Sequence, residues 1–132
     1  MIDGGLRQIF RTHLPDAFWQ SIETGSTGRG IPDSHYIFPG GVSGWIEYKA
    51  TKANAVAVRP EQIAWLERYR RNGGRAFVAV RTRYGCSLFD GLAARSLAQG
   101  GCKAVPSALL IGLWAGGPSG WDWAHIRTRL VK

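Results

Sequence analysis

The chain has 132 residues, of which 45% are hydrophobic and 20% are charged. This length provides one hydrophobic core but not two, so we predict a single domain over residues 1–132. No apolar run approaches the roughly 20 residues that a membrane helix needs, and the N-terminus lacks a basic segment followed by an apolar one. We therefore expect an intracellular, cytoplasmic protein with no membrane partner.

The formal net charge of +8 favours an anionic partner, nucleic acid before a membrane surface. Basic residues concentrate between Lys49 and Arg83, a stretch whose acidic residues are Glu61 and Glu67. A solvated basic face without a partner is the alternative. The two cysteines lie far apart in the chain and form no CxxC pair, which indicates packed thiols in a reducing compartment and argues against a zinc site.

The first quarter of the chain predicts a helix, a strand and a loop. Apolar residues recur at helical spacing from Leu6 to Leu14, and Pro15 ends the helix. The aromatic-rich segment 17–24 is typical of a strand. Residues 25–30 contain three glycines and predict a flexible loop, but this loop lacks the Gly-Lys-Ser/Thr ending of a nucleotide-binding P-loop.

A β-hairpin is the clearest prediction. Its strands are residues 31–38 and 42–50, and its turn is Pro39-Gly40-Gly41. Because side chains alternate along a strand, Glu47 and Lys49 should point to the same face of the sheet.

The second half predicts alternating helices and strands. The predicted elements are a helix from Pro60 to about Asn72, a central strand 75–81, a strand 86–89, a helix 92–99, a buried helix or strand 108–114 and a terminal helix or strand 121–131. Pro60 suits the first position of a helix, and Gly73-Gly74 ends it. The order predicts an α/β fold in which helices flank a mixed sheet of about five strands.

Two acids and a lysine on this hairpin match the needs of phosphodiester hydrolysis. Asp33 and Glu47 supply carboxylate oxygens, which Mg²⁺ prefers. Lys49 can orient the attacking water or stabilise negative charge. The alternative is a salt-bridged pair on an exposed sheet face, because Glu-x-Lys is common there. Arg29, Lys52 and Arg59 flank the site in sequence and suit phosphate contacts. The tryptophans of the C-terminal third are assigned to a core or an interface.

Pro32-Asp33, Glu47-x-Lys49 and Gln62 at the start of a helix, with an apolar strand after it, resemble the PD-(D/E)XK nuclease superfamily. The order and spacing are most similar to the virus-type VRR-NUC group and related phage endonucleases, including Holliday-junction resolvases. The resemblance covers about residues 19–81. It implies a restriction-endonuclease-like fold and Mg²⁺ (or Mn²⁺) as cofactor, and it includes virus-encoded proteins that act in a host cytoplasm.

The resemblance also implies roles for individual residues. Asp33, Glu47 and the backbone carbonyl of Tyr48 would be metal ligands, and Lys49 would act on the water or the phosphate. Gln62 would lie near the site, although a helix-start residue bonded to backbone is an equal alternative.

Many members of the superfamily carry one more acid on an early helix. The polar face of the first helix here holds Arg7, Gln8 and Arg11 instead. Glu23 is the available substitute, and a charge at a strand end is its alternative.

These observations predict a metal-dependent DNA endonuclease, most specifically a homodimeric resolvase of branched DNA, since two symmetric cuts require two-fold symmetry. A nicking, flap or restriction-like nuclease has the same chemistry on another substrate. A basic nucleic-acid-binding domain without cleavage is the non-enzymatic alternative.

Overall fold

The computed structural model describes residues 3–22 and 30–132. The helices are α1 (Leu6–His13), α2 (Pro60–Arg71), α3 (Ala94–Gly100) and α4 (Trp123–Val131). The strands are β1 (Phe18–Ser21), β2 (Ser34–Phe38), β3 (Val42–Ala50), β4 (Ala76–Thr82), β5 (Gly85–Asp90) and β6 (Leu110–Ala115). Within these ranges, no helix is both long and apolar enough to cross a membrane.

The described strands form one mixed sheet in the order β1-β2-β3-β4-β5-β6. Neighbouring strands are antiparallel except β3 and β4, which are parallel because α2 connects them across one face. The predicted α/β fold is therefore confirmed, with six strands among the described residues instead of about five. The strand predicted to be central is β4, and it lies inside the sheet.

Helices cover both faces of the sheet. On one face, α1 and α4 pack on the side chains of Ile46 and Tyr48, and the ring centroids of Phe10 and Tyr48 are 5.6 Å apart. On the other face, α2 and α3 pack on Val78 and Val80. The alternation predicted for β3 is confirmed, because Tyr48 enters the first core while Glu47 lies on the side of α2.

The segment 108–114 was expected to be buried, and this prediction is wrong. Most of it forms β6, an edge strand of the described sheet, with Leu110 40% and Leu113 68% exposed. Trp114 is buried, as is Trp121, which confirms their assignment to the core. Both cysteines are free, Cys86 buried and Cys102 half-buried.

Candidate active site

A cleft of about 490 Å³ opens near the C-terminal end of β3. It is lined by Asp3, Arg7, Ile31, Asp33, Glu47, Tyr48, Lys49, Ala57, Arg59 and Gln62. The cleft exists because β2 pairs with β3 only up to Ser34 and Ile46, so the β2 side of β3 is uncovered beyond that point. The structure thus brings Asp33, Glu47, Lys49 and Gln62 into one cavity.

Asp33 is fixed by the loop that precedes β2. Gly30 has a φ of 79°, and a Cβ there would collide with the carbonyl of Glu61, so glycine lets the loop approach the start of α2. The Oδ2 atom of Asp33 accepts a hydrogen bond of 3.0 Å from the backbone N–H of Tyr48. The carboxylate of Asp33 therefore lies directly beside the uncovered edge of β3.

Glu47 is a buried carboxylate, 3% exposed. Its Oε2 accepts a hydrogen bond of 3.0 Å from Nε2 of Gln62 and lies 3.3 Å from Nζ of Lys49. Burial, followed by the nearby charge of Asp33, raises the pKa of Glu47 from 4.5 to about 7, against the opposing effect of Lys49. A buried acid with a raised pKa in a cleft is typical of a functional site.

Lys49 and Gln62 lock each other in place. Nζ of Lys49 donates a hydrogen bond of 3.0 Å to Oε1 of Gln62, which also accepts one of 3.0 Å from the backbone N–H of Arg59. Both alternatives predicted for Gln62 therefore hold. Its side chain lies beside the acids, and it also accepts a hydrogen bond from the backbone at the start of α2. An ammonium has three N–H donors. Among residues 3–22 and 30–132, the contacts with Glu47 and Gln62 use two, which leaves one for a group in the cleft.

Tyr48 reaches the cleft through its backbone. Its side chain is 1% exposed and lies in the core of the opposite face. The N–H and C=O of a strand residue point to the same neighbouring strand. Since the N–H of Tyr48 points to Asp33, its carbonyl oxygen faces the same edge.

The donors in this cleft fit a magnesium ion. Mg²⁺ takes oxygen ligands and keeps several waters, so one or two carboxylates suffice. Asp33, Glu47 and the carbonyl of Tyr48 provide such a set. Among residues 3–22 and 30–132, no group of three or more His, Cys, Asp or Glu side chains could hold a metal. This excludes a cage built from such side chains in that part of the chain.

Two charged residues of the cleft, Arg7 and Asp3, were not predicted to belong to it. The guanidinium of Arg7 lies 3.5 Å from Oδ1 of Asp33. Asp3 accepts backbone hydrogen bonds of 2.9 Å from Gly5 and 3.4 Å from Arg7, so it holds the start of α1 in shape. The sequence places Arg7 on the polar face of the first helix, but not beside the hairpin.

The three predicted phosphate contacts have different outcomes. Arg59 stands at the mouth of the cleft, with its side chain 61% exposed and 3.4 Å from Glu61. Lys52 instead lines a neighbouring groove, together with Arg81 and Arg83, so it does not flank the acids in space. Arg29 and the predicted acid Glu23 lie outside the described residues.

We expect Gln62→Ala to destabilise the protein by about 2 kcal/mol, because it removes a partner from the buried Glu47 carboxylate and from the N–H of Arg59. Urea unfolding at pH 7 measures this change. Gln8→Ala is the control, since Gln8 is an exposed glutamine of α1 whose side chain bonds Thr12. Equal losses of stability in Gln62→Ala and Gln8→Ala would contradict the hydrogen bonds assigned to Gln62.

No protein-family model matches the chain, and no curated protein matches it. Among solved structures, the chain is similar to Archaeoglobus fulgidus Hjc, a Holliday junction resolvase from an archaeal hyperthermophile. The match has a TM-score of 0.51 and 19% sequence identity, and it covers 65% of this chain and 74% of that chain. The fold is restriction-endonuclease-like. At this identity the similarity is one of fold.

Proposed function

We propose that this chain is a magnesium- or manganese-dependent endonuclease that hydrolyses phosphodiester bonds of branched DNA, with the Holliday junction as its preferred substrate. The observation that carries the proposal is the interlocked set of Glu47, Lys49 and Gln62, with Asp33 in the same cleft. The fold shared with a resolvase supports it.

The acids of the cleft would hold the metal. We assign Asp33, Glu47 and the carbonyl of Tyr48 as its protein ligands, with water in the other positions. When bound, the ion supplies charge neutralisation at the phosphate and a water of lowered pKa. Glu23 stays a prediction for a further acid.

Lys49 is the catalytic residue of this proposal. Its remaining N–H donor is available to the attacking water or to a phosphate oxygen, where it would stabilise developing negative charge. Gln62 is a positioning residue, since it holds both the Lys49 ammonium and the Glu47 carboxylate. Both contacts are formed in the absence of substrate, so the site is preorganised.

Arginines at the cleft would bind the substrate backbone. Arg7 and Arg59 line the cavity, and a guanidinium suits the paired oxygens of a phosphate. The net charge of +8 supports attraction of nucleic acid.

Resolution of a four-way junction requires two symmetric cuts, so we propose a homodimer with two-fold symmetry. We place it nearest the VRR-NUC-like endonucleases, on the spacing of Asp33, Glu47, Lys49 and Gln62. Light scattering on the purified protein measures the oligomeric state.

We expect the purified protein to cut a four-way junction in 5' end-labelled DNA when Mg²⁺ or Mn²⁺ is present, and to leave it intact in EDTA. A flap and a linear duplex of the same sequence serve as matched substrates. Equal cutting of all three substrates would support the nuclease activity and contradict the preference for the junction. No cutting of any substrate with either metal would contradict the proposed function.

A further inference from the structure

A second cleft, of about 230 Å³, lies at the other end of α2 from the candidate active site. Arg59, which precedes α2, lines the first cleft, and Arg70, in the last turn of α2, lines the second. The helix has 12 residues, so the two ends are separated by about 18 Å at ~1.5 Å per residue. The two clefts are therefore distinct.

The second cleft is basic, and its acid is already neutralised. Asp90 receives two hydrogen bonds of 2.9 Å from the guanidinium of Arg70 and one of 2.8 Å from the N–H of Leu92. The third nitrogen of Arg70 donates to the carbonyl of Gly74 at 2.9 Å. This pair contributes no net charge, so Arg75 and Arg129 give the lining of the cleft its positive charge.

Arg129 lines this cleft and, within residues 3–22 and 30–132, carries an unsatisfied hydrogen-bond donor. Its Nε is buried and has no hydrogen-bond partner among the described residues. Nε of Arg75 donates a hydrogen bond of 3.1 Å to the main-chain oxygen of Lys132. One terminal nitrogen of Arg75 donates a hydrogen bond of 3.5 Å to the carbonyl of Ser43. Its other terminal nitrogen has no partner within the described part of the chain. A buried guanidinium nitrogen without an acceptor is unfavourable, and an anion in the cleft would supply the acceptor.

We propose that this cleft binds a backbone phosphate of the DNA whose scissile phosphate occupies the first cleft. The basic cleft is independent of the cleavage chemistry, but its assignment to DNA rests on the proposed function. The guanidinium groups of Arg75 and Arg129 supply N–H donors for the two non-bridging oxygens of a backbone phosphate. Successive phosphates of one strand advance ~3.4 Å along the duplex axis, so a separation of about 18 Å corresponds to roughly five base pairs.

The test is the affinity for a fluorescent four-way junction in EDTA, measured by anisotropy over a range of salt concentrations. We expect Arg129→Gln to weaken binding about tenfold, the loss of a charge-assisted hydrogen bond. It should also make the slope of log K against log salt shallower by about 0.9, the value for one phosphate. Arg68→Gln is the matched control, because Arg68 is an exposed arginine of α2 that lines neither cleft. Equal affinities and slopes for the two variants would overturn the proposal.

Thermal unfolding with inorganic phosphate at constant ionic strength separates the sources of the anion. The melting temperature of the wild type and of Arg68→Gln should rise with phosphate, and that of Arg129→Gln should rise less, by the contribution of the first cleft alone. A phosphate effect without any change in DNA affinity would assign the cleft to a free anion and overturn its assignment to DNA. If the wild type binds the junction through Arg129 but cuts no substrate, the proposed function fails while the phosphate site stands.

Discussion

Glu47→Gln is expected to lower the rate of junction cleavage by at least about 10³-fold. The proposed divalent ion would contribute several kcal/mol to transition-state stabilisation, and it would lose one of the two carboxylates assigned to it. The same substitution should stabilise the metal-free protein at pH 8. A buried carboxylate beside Asp33 is unfavourable when ionised, and glutamine keeps the hydrogen-bonding shape without the charge. Loss of activity together with a gain of stability is the signature of a functional acid.

The pH dependence of this stability gain follows from the raised pKa. Glu47 loses its proton near pH 4.5 in the unfolded chain and near pH 7 in the folded, metal-free protein. Between these values the folded state binds more protons, so the free energy of unfolding of the wild type falls as pH rises. The fall is on the order of 3 kcal/mol and is complete above about pH 7.

Urea unfolding in EDTA from pH 4 to pH 8 measures the difference between wild type and Glu47→Gln. This difference in the free energy of unfolding should be small at pH 4 and largest at pH 8. Mg²⁺ should stabilise the wild type but not Glu47→Gln. Glu61→Gln is the control, because the side chain of Glu61 is 42% exposed. If Glu47→Gln is no more stable than the wild type at pH 8, this would contradict the claim that the ionised Glu47 carboxylate is unfavourable in the folded protein.

Lys49→Met is expected to reduce the single-turnover cleavage rate by about 10²- to 10³-fold, the usual effect of removing one donor from developing charge. The side chain of Lys49 is 15% exposed. Methionine retains the approximate length and the apolar part of this side chain. Because Asp33 and Glu47 are unchanged, the variant should still bind metal. Rapid-quench measurement at saturating Mg²⁺ gives the rate, and calorimetry gives the metal affinity.

Lys52→Met is the matched control for this effect, since Lys52 lies outside the cleft. We expect it to cleave at close to the wild-type rate and to lose only DNA affinity. A Lys49→Met variant that cleaves as fast as Lys52→Met would remove Lys49 from the chemistry, whatever its effect on binding.

The local pattern was sufficient to predict most of the site's scaffold. Strand alternation put Glu47 and Lys49 on one face, and the hairpin turn brought Asp33 to the neighbouring strand. These relations join residues that are close in sequence, so they could be predicted from the local sequence pattern. Gln62 was placed near the site by the resemblance, and in the structure it reaches Glu47 because α2 packs on the face of the sheet to which Glu47 points.

Features that depend on packing across the sheet could not be predicted in the same way. Arg7 reaches Asp33 because Phe10 packs α1 on Tyr48, a contact between residues distant in the chain. An amphipathic helix shows which side is buried, but not which strand it covers. The resemblance suggests an acid on this helix; the helix instead contributes the guanidinium of Arg7 to the cleft, and the acid Asp3 enters the cleft from the residues before the helix.

The edge strand shows a second limit of local pattern. Residues 108–114 are as apolar as the interior strand 75–81, so composition alone placed both inside. The structure instead gives β6 a single neighbour, β5, and leaves Leu113 exposed. Strand order is set by the connections and the packing of the whole chain, not by the hydrophobicity of one segment.

The most direct test is a crystal of the protein soaked in Mn²⁺, with anomalous scattering used to locate the ion. We expect a single strong peak in contact with the carboxylates of Asp33 and Glu47 and with the carbonyl of Tyr48. The peak should be absent from crystals of Glu47→Gln. Strong manganese peaks elsewhere, with none between Asp33 and Glu47 at high Mn²⁺, would contradict a metal-dependent phosphodiester-cleaving site on this hairpin.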